Sequence, residues 1–349
     1  DELSDPASAT NAAQKIRRSL TSAFEIDGQD IFVSTSVGIS LYPADGTDVS
    51  TLLRHADAAM YRAKRGNSGV EFYEAGMEAS VSEQLRLDSS LRRALERDEF
   101  EVYYQPKADA RSGLITGMEA LVRWKHPDRG MISPFEFIPL AEETGLVTYI
   151  GESVLRQACA QTRHWLDAGV PNLNVAVNLS GVQLQEKGLC DLIASILHET
   201  RLDPRHLTLE ITESMLMEHT SDIVATLEQL KNIGLRIDID DFGTGYSSLA
   251  YLKRFPVDAL KVDRTFTRDM TSNPDDAAIV TGIIALAHSL RLKVVAEGVE
   301  SQAQLDLLRQ LGCDSVQGYF LSQPLPAYEF ETQILVPNFP SLTACAKTA

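Results

Sequence analysis

The chain has 349 residues, enough for two domains that each bury a core, and its 44 % hydrophobic and 23 % charged content is ordinary for a soluble globular protein. A net charge of -17 argues against a nucleic-acid surface or an anionic membrane, while leaving room for an anionic small substrate where metal ions and arginines reverse the local field. Cys159, Cys190, Cys313 and Cys345 form no CxxC, which points to a reducing compartment without structural zinc; no signal peptide or apolar run of about 18 residues suggests a membrane span.

Residues 11–24 read as a helix, with Ala13, Ile16, Leu20 and Phe24 at helical spacing. Residues 30–42 alternate as one strand through Ile31, Val33, Thr35, Val37 and Ile39. A second helix spans 50–65 and ends at Gly66-Asn67, and 70–73 form a last short strand. Residues 1–75 thus suggest half of a small α/β domain. Residues 76–98 are polar, with Leu85, Leu87, Leu91 and Leu95 along them, and read as a connecting helix.

From Phe100 a rhythm begins. Eight short apolar segments read as strands: 101–105, 118–124, 174–178, 207–211, 236–240, 259–263, 293–297 and 315–317. Helical stretches separate them from the second onward: 134–144 with 151–168, 189–200, 222–233, 247–254, 275–290 and 301–311. Such alternation predicts a mostly parallel sheet closed into a modified (β/α)8 TIM-type barrel over residues 99–336. Only a turn at Asp109-Ala110-Arg111-Ser112-Gly113 joins the first two strands, so the first strand is expected to run antiparallel. Residues 337–349 read as a frayed tail.

Polar residues stand on or at the ends of these strands: Glu119 with Arg123, Asn178, Glu210, Asp240-Asp241, Lys261 with Asp263, Glu297 and Gln317. In a parallel barrel those ends share one rim, where catalytic groups gather. Five carboxylates there (Glu119, Glu210, Asp240, Asp241, Glu297) would repel one another unless a cation neutralises them. An all-oxygen set without His or Cys favours Mg²⁺ or Mn²⁺. Taken alone, Asp240-Asp241-Phe242-Gly243-Thr244-Gly245 also reads as an Asx turn with an N-cap. Arg123 shares its strand face with Glu119 and Leu121, and a guanidinium beside a metal site suggests a phosphate ligand; the other reading is a salt bridge to a rim acid. The seven histidines are scattered without ligand spacing.

Ser36-Val37-Gly38-Ile39-Ser40-Leu41-Tyr42-Pro43 and Ala56-Asp57-Ala58-Ala59-Met60-Tyr61-Arg62-Ala63-Lys64 make the first segment resemble the C-terminal half of a GGDEF (diguanylate cyclase-like) domain. The signature Gly-Gly-Asp-Glu-Phe loop is not in the sequence, so no cyclase activity is expected. From about Asp88 to Phe330 the chain resembles EAL-domain cyclic di-GMP phosphodiesterases. The carrying residues include Tyr104-Gln105-Pro106, Glu119-Ala120-Leu121, Asn178-Leu179-Ser180, Leu209-Glu210-Ile211-Thr212-Glu213, Asp240-Asp241-Phe242-Gly243, Lys261-Val262-Asp263, Ala296-Glu297-Gly298 and Gln317-Gly318-Tyr319.

That resemblance implies hydrolysis of cyclic di-GMP to linear pGpG by two divalent cations, Mg²⁺ or Mn²⁺, with Ca²⁺ inhibitory. It implies one ion on Glu119, Asn178, Glu210 and Asp240, and a second on Asp240, Asp241 and Glu297. Lys261 and Glu297 would position or deprotonate the attacking hydroxide. Gln105, Leu121 and Arg123 would contact the nucleotide, Asp263 and Gln317 would order the ligand shell, and Glu213 would steady the loop after Asp241. A homodimer through that loop and its following helix, no nucleic-acid or membrane contact by this chain, and a cytoplasmic location complete the expectation, with the chain read as the cytoplasmic end of a longer membrane-bound or sensory protein. The alternatives are a catalytically silent cyclic di-GMP receptor and an unrelated metal-dependent barrel of aldolase or enolase type.

Overall fold

The computed structural model describes residues 6–20, 24–26, 29–31, 35–65, 68–217, 220–244 and 252–339. The chain divides into two units after Leu91. The first contains helices Pro6–Ser19 and Val49–Arg65 with four short strands, β1 (Phe24–Ile26), β2 (Gln29–Ile31), β3 (Val37–Ile39) and β4 (Val70–Phe72). β1 pairs antiparallel with β2, and β3 pairs parallel with β4. A Cβ on Gly38 would collide with the backbone of Ala56 and Met60, so this glycine lets helix Val49–Arg65 lie directly on β3.

Two local expectations are corrected here. The first helix stops at Ser19, whose hydroxyl bonds back to the Ile16 carbonyl (2.7 Å) while Leu20 N–H closes a tight turn on Arg17. Phe24 therefore belongs to β1, opposite Ile31. The single strand expected over 30–42 is divided between β2 and β3. It cannot run on to Tyr42, because Pro43 has no N–H to offer and Asp45 accepts the Leu41 N–H in a turn (2.6 Å).

Helix Met77–Glu96 leads into the second unit. Its strands are β5 (Phe100–Asp109), β6 (Ile115–His126), β7 (Gly130–Ile132), β8 (Asn174–Asn178), β9 (Leu207–Thr212), β10 (Arg236–Phe242), β11 (Ala259–Val262), β12 (Lys293–Ala296), β13 (Ser315–Gln317) and β14 (Leu325–Pro326). Eight of them close a barrel in the order β5-β13-β12-β11-β10-β9-β8-β6, with β6 pairing back onto β5. Strands β6 and β8–β13 are parallel, and β5 runs antiparallel to both neighbours, as the helix-free turn at Asp109 requires. β7 and β14, unexpected from the sequence, extend the sheet outside the barrel.

Helices Val147–Asp167, Leu189–Thr200, Thr220–Ile233, Pro274–Ser289 and Gln302–Leu311 cover the barrel. Ile193, Leu227, Leu230, Val280 and Leu308 are fully buried. Each such side chain contributes about 1.5–3 kcal/mol of hydrophobic stabilisation. Most of the helix expected over 247–254 and all of 340–349, including Cys345, lie outside the described residues.

Candidate active site

Period 2 along the strands decides what enters the barrel. On β10, Ile237 and Ile239 face the helices while Asp238 and Asp240 face inward, and all four are buried. Asp241 follows with φ +53°, a left-handed conformation that aspartate tolerates better than most residues. That turn breaks the alternation and keeps Asp241 near Asp240, whose Oδ1 accepts its N–H at 2.9 Å. Parallel register sets Asn178 beside Glu210 on β8 and β9.

Lys261 from β11 organises the interior. Its Nζ lies 2.6 Å from Glu297 Oε1, 2.7 Å from Glu210 Oε2, 3.0 Å from Asp240 Oδ1 and 3.6 Å from Glu119 Oε2. Glu119 is fixed further by amides: Asn178 Nδ2 donates to Oε1 and Gln317 Nε2 to Oε2, both at 2.6 Å. Gln317 Nε2 also reaches Gln105 Oε1 (2.9 Å), and Gln105 Nε2 donates to the Ser322 carbonyl (3.1 Å). Eight of the residues anticipated from sequence thus form one polar network, buried except at exposed Asn178 and half-buried Glu297.

Two ammonium groups, Lys261 and Lys107, face five carboxylates in this network and at its edge. The imbalance appears in the proton affinities. Burial and neighbouring Glu119 push Glu210 up to about 7, and burial and Asp240 push Asp241 up to about 6. Glu297 is raised by burial against the pull of Lys261. Burial also disfavours ionised Glu119, but Lys261, Lys107 and the two amides outweigh it and hold its carboxyl below the ordinary range. Lys261 stays charged, since the surrounding carboxylates overcome its burial. Oxygens of Asp240, Asp241 and Glu297 lie within 4.8 Å of one another, and among the described residues no histidine or cysteine joins them. A hard divalent cation fits this donor set, and the excess of carboxylates over ammonium groups is the charge it would balance.

The other anticipated residues surround this network. Half-buried Arg123 lies over the Tyr103 ring at 5.6 Å and donates to the Val122 carbonyl at 2.8 Å. Among the described residues it makes no ion pair, so the rim salt bridge is not formed. Leu121, also half-buried, shares β6 with Glu119. Asp263 caps helix Arg264–Asp269 by accepting the Thr265 N–H (2.9 Å), and its side chain also approaches Asp241. Glu213 opens a short helix rather than a loop, and its buried Oε2 accepts the Gly243 N–H at 3.0 Å.

Two interior residues were missed. Lys107 stands two positions after Gln105 on β5, and Asp238 two before Asp240 on β10; period 2 alone would have turned both inward. Lys107 crosses the barrel to bond Glu210 Oε1.

The family described as "EAL domain" matches residues 88–324, and "Diguanylate cyclase, GGDEF domain" matches residues 2–69. The chain is 48% identical over 327 residues to "Bifunctional diguanylate cyclase/cyclic di-GMP phosphodiesterase MucR" of Pseudomonas aeruginosa, covering 93% of this chain and 48% of that protein. It is 41% identical over 321 residues to "Cyclic di-GMP phosphodiesterase PdeR" of Escherichia coli, covering 91% of this chain and 48% of that one. It therefore spans about half the length of these curated relatives. The solved structure "PaMucR Phosphodiesterase, c-di-GMP complex" superposes with a TM-score of 0.68 at 51% identity, covering 70% of this chain and 99% of that one. With a family match over most of its length and a relative of such identity along nearly all of it, this chain belongs to the EAL domain family.

Proposed function

We propose that the barrel, residues 99–336, hydrolyses cyclic di-GMP to linear pGpG with the help of two divalent cations, and that residues 1–75 and 76–98 serve as a partial GGDEF segment and its connecting helix. The single observation that carries this reading is the set of four carboxylates within 3.6 Å of buried Lys261, with Asp241 beside Asp240, in a barrel that superposes on a solved cyclic di-GMP complex. Glu119, Asn178, Glu210 and Asp240 would hold one ion, and Asp240, Asp241 and Glu297 the other. Bound there, Mg²⁺ or Mn²⁺ supplies charge neutralisation at the phosphodiester and acidifies the attacking water.

The chain's own residues do the rest. Arg123, without a carboxylate partner among the described residues, offers its guanidinium to a phosphate oxygen, while Leu121 and Tyr103 flank it. Gln105 and Gln317 fix Glu119 and border the nucleotide. Lys261 holds Glu297 through Oε1, which orients a carboxylate that would serve the second ion and take the proton of the attacking water. Water oxygen bonds to phosphorus, the bond to the 3′ oxygen breaks, and that oxygen leaves as a hydroxyl after gaining a proton. Asp263 borders Asp241, and Glu213 ties down the loop that follows it through Gly243. A homodimer through that loop and a cytoplasmic setting belong to the same proposal; among the described residues no helix is long and apolar enough to cross a membrane.

Incubation with cyclic di-GMP and Mg²⁺, followed by chromatography, tests the reading. Linear pGpG should accumulate with Mg²⁺ or Mn²⁺ and not with Ca²⁺, whose longer, looser bonds would misplace the reacting groups. Retention of intact cyclic di-GMP without turnover would make the chain a receptor instead.

A further inference from the structure

We infer that Lys107 is a positioning residue for Glu210, setting which carboxylate oxygen is presented to a divalent cation. The inference rests on the phosphodiesterase reading and extends it to a residue that carries no assigned role. β5 and β9 are not neighbours in the barrel, so Lys107 must cross the interior to reach its partner. It bonds Oε1 of Glu210, while Lys261 from β11 takes Oε2 at 2.7 Å. The Glu210 side chain has no solvent exposure and that of Lys107 only 10%. Two ammonium groups from different strands therefore grip the two oxygens of one buried carboxylate.

The grips are not equivalent. Lys261 sits at the rim, where it also touches Glu119, Asp240 and Glu297. Among the described residues Lys107 has Glu210 as its only ion-pair partner; it borders Thr208, Asn174, Thr116 and Asp238 at the opposite end of the barrel, with Lys261 and Glu119 close enough to act on its charge. A cation held at the rim would meet Glu210 from the Lys261 side, with Lys107 behind it. Lys107 thus holds Oε1, so Oε2 is the oxygen Glu210 would offer a cation. A ligand whose orientation is fixed by an outer hydrogen bond binds its metal more tightly than one free to rotate. The same lysine supplies a positive charge behind Glu210 that no ion at the rim replaces.

Metal binding and catalysis give separate readouts. Mn²⁺ binding, followed by electron paramagnetic resonance without substrate, should weaken about 10–100-fold in Lys107→Met. The kcat for cyclic di-GMP at fixed Mg²⁺ should fall while KM changes less than about twofold, because Lys107 touches no nucleotide. Lys107→Gln keeps a polar donor without the charge and should fall between the two. If Lys107→Met does not fold, Lys107→Gln decides: Mn²⁺ affinity lowered at least about threefold upholds the inference, and wild-type affinity overturns it. A lower melting temperature in EDTA with wild-type Mn²⁺ affinity and kcat would assign Lys107 to the fold alone and overturn it too. Wild-type protein that binds Mn²⁺ yet hydrolyses nothing would instead refute the phosphodiesterase reading, leaving the binding comparison to judge Lys107.

Discussion

Replacing Lys261 with methionine keeps most of the side chain's volume and removes its charge. Nζ lies within 3.0 Å of three carboxylates, and the side chain is 1% exposed, so bulk water cannot take its place. Only Lys107 would then face five acids. Removing one partner of a buried ion pair costs about 3–5 kcal/mol. Protonation softens the loss, since Glu210 already titrates near 7 and Glu297 is raised as well. The lower end, about 3 kcal/mol, is the expected cost in metal-free protein. At about 2–4 °C per kcal/mol for a domain of this size, Lys261→Met should melt about 6–12 °C below wild type in EDTA. Mg²⁺ neutralises the same carboxylates, so the difference should shrink when it is added. Circular-dichroism melts with EDTA and with MgCl₂ measure both quantities. Equal melting temperatures in EDTA would refute the view that Lys261 neutralises the acid ring, as would a gap unchanged by a metal that demonstrably binds.

Asp240→Asn removes charge from the position proposed to serve both ions, and should lower hydrolysis at least about a hundredfold with little change in melting temperature; near wild-type turnover in Mg²⁺ would contradict the two-ion reading. Glu213→Ala removes the acceptor for the Gly243 N–H, so higher Mg²⁺ should be needed for half-maximal activity; a reduced melting temperature with unchanged Mg²⁺ dependence would leave Glu213 a purely structural role. Metal-free protein should grow more stable from about pH 8 down to about pH 5.5. Glu210 and Asp241 hold protons in the folded state at pH values where the unfolded chain has lost them, and that stability disappears as pH rises through about 7 and about 6. A melting temperature that falls as pH is lowered from about 8 to about 5.5 in EDTA would contradict the assigned shifts.

The barrel was legible because its strands are short apolar runs separated by strongly periodic helices, and parallel pairing then fixes one rim. The helix-free turn at Asp109 revealed the reversed first strand for the same local reason. Legibility failed where tertiary pairing overrides local pattern. Phe24 continues the apolar helical spacing of Ile16 and Leu20, yet it pairs with Ile31 on a strand. β7 and β14 are too short to show a period and exist through pairing with β6 and β5. Lys107 and Asp238 escaped because attention to strand ends favours the rim, and charges deeper in a barrel leave no end signal. Likewise, no pattern in the sequence says that Lys261 touches four acids at once; only closure of the sheet brings them together.

The reversed direction of β5 also determines where the chain enters the barrel. Phe100 pairs with Trp124 at the far end of β6, so the polypeptide arriving from helix Met77–Glu96 joins on the reaction rim. An all-parallel barrel would receive its first strand at the opposite end. Here the incoming helix leads directly into β5, and Gln105 and Lys107 are among its residues. Both grip glutamates of the acid ring through other side chains or directly. The strand that closes the cylinder therefore also carries two of the side chains that hold the ring's glutamates.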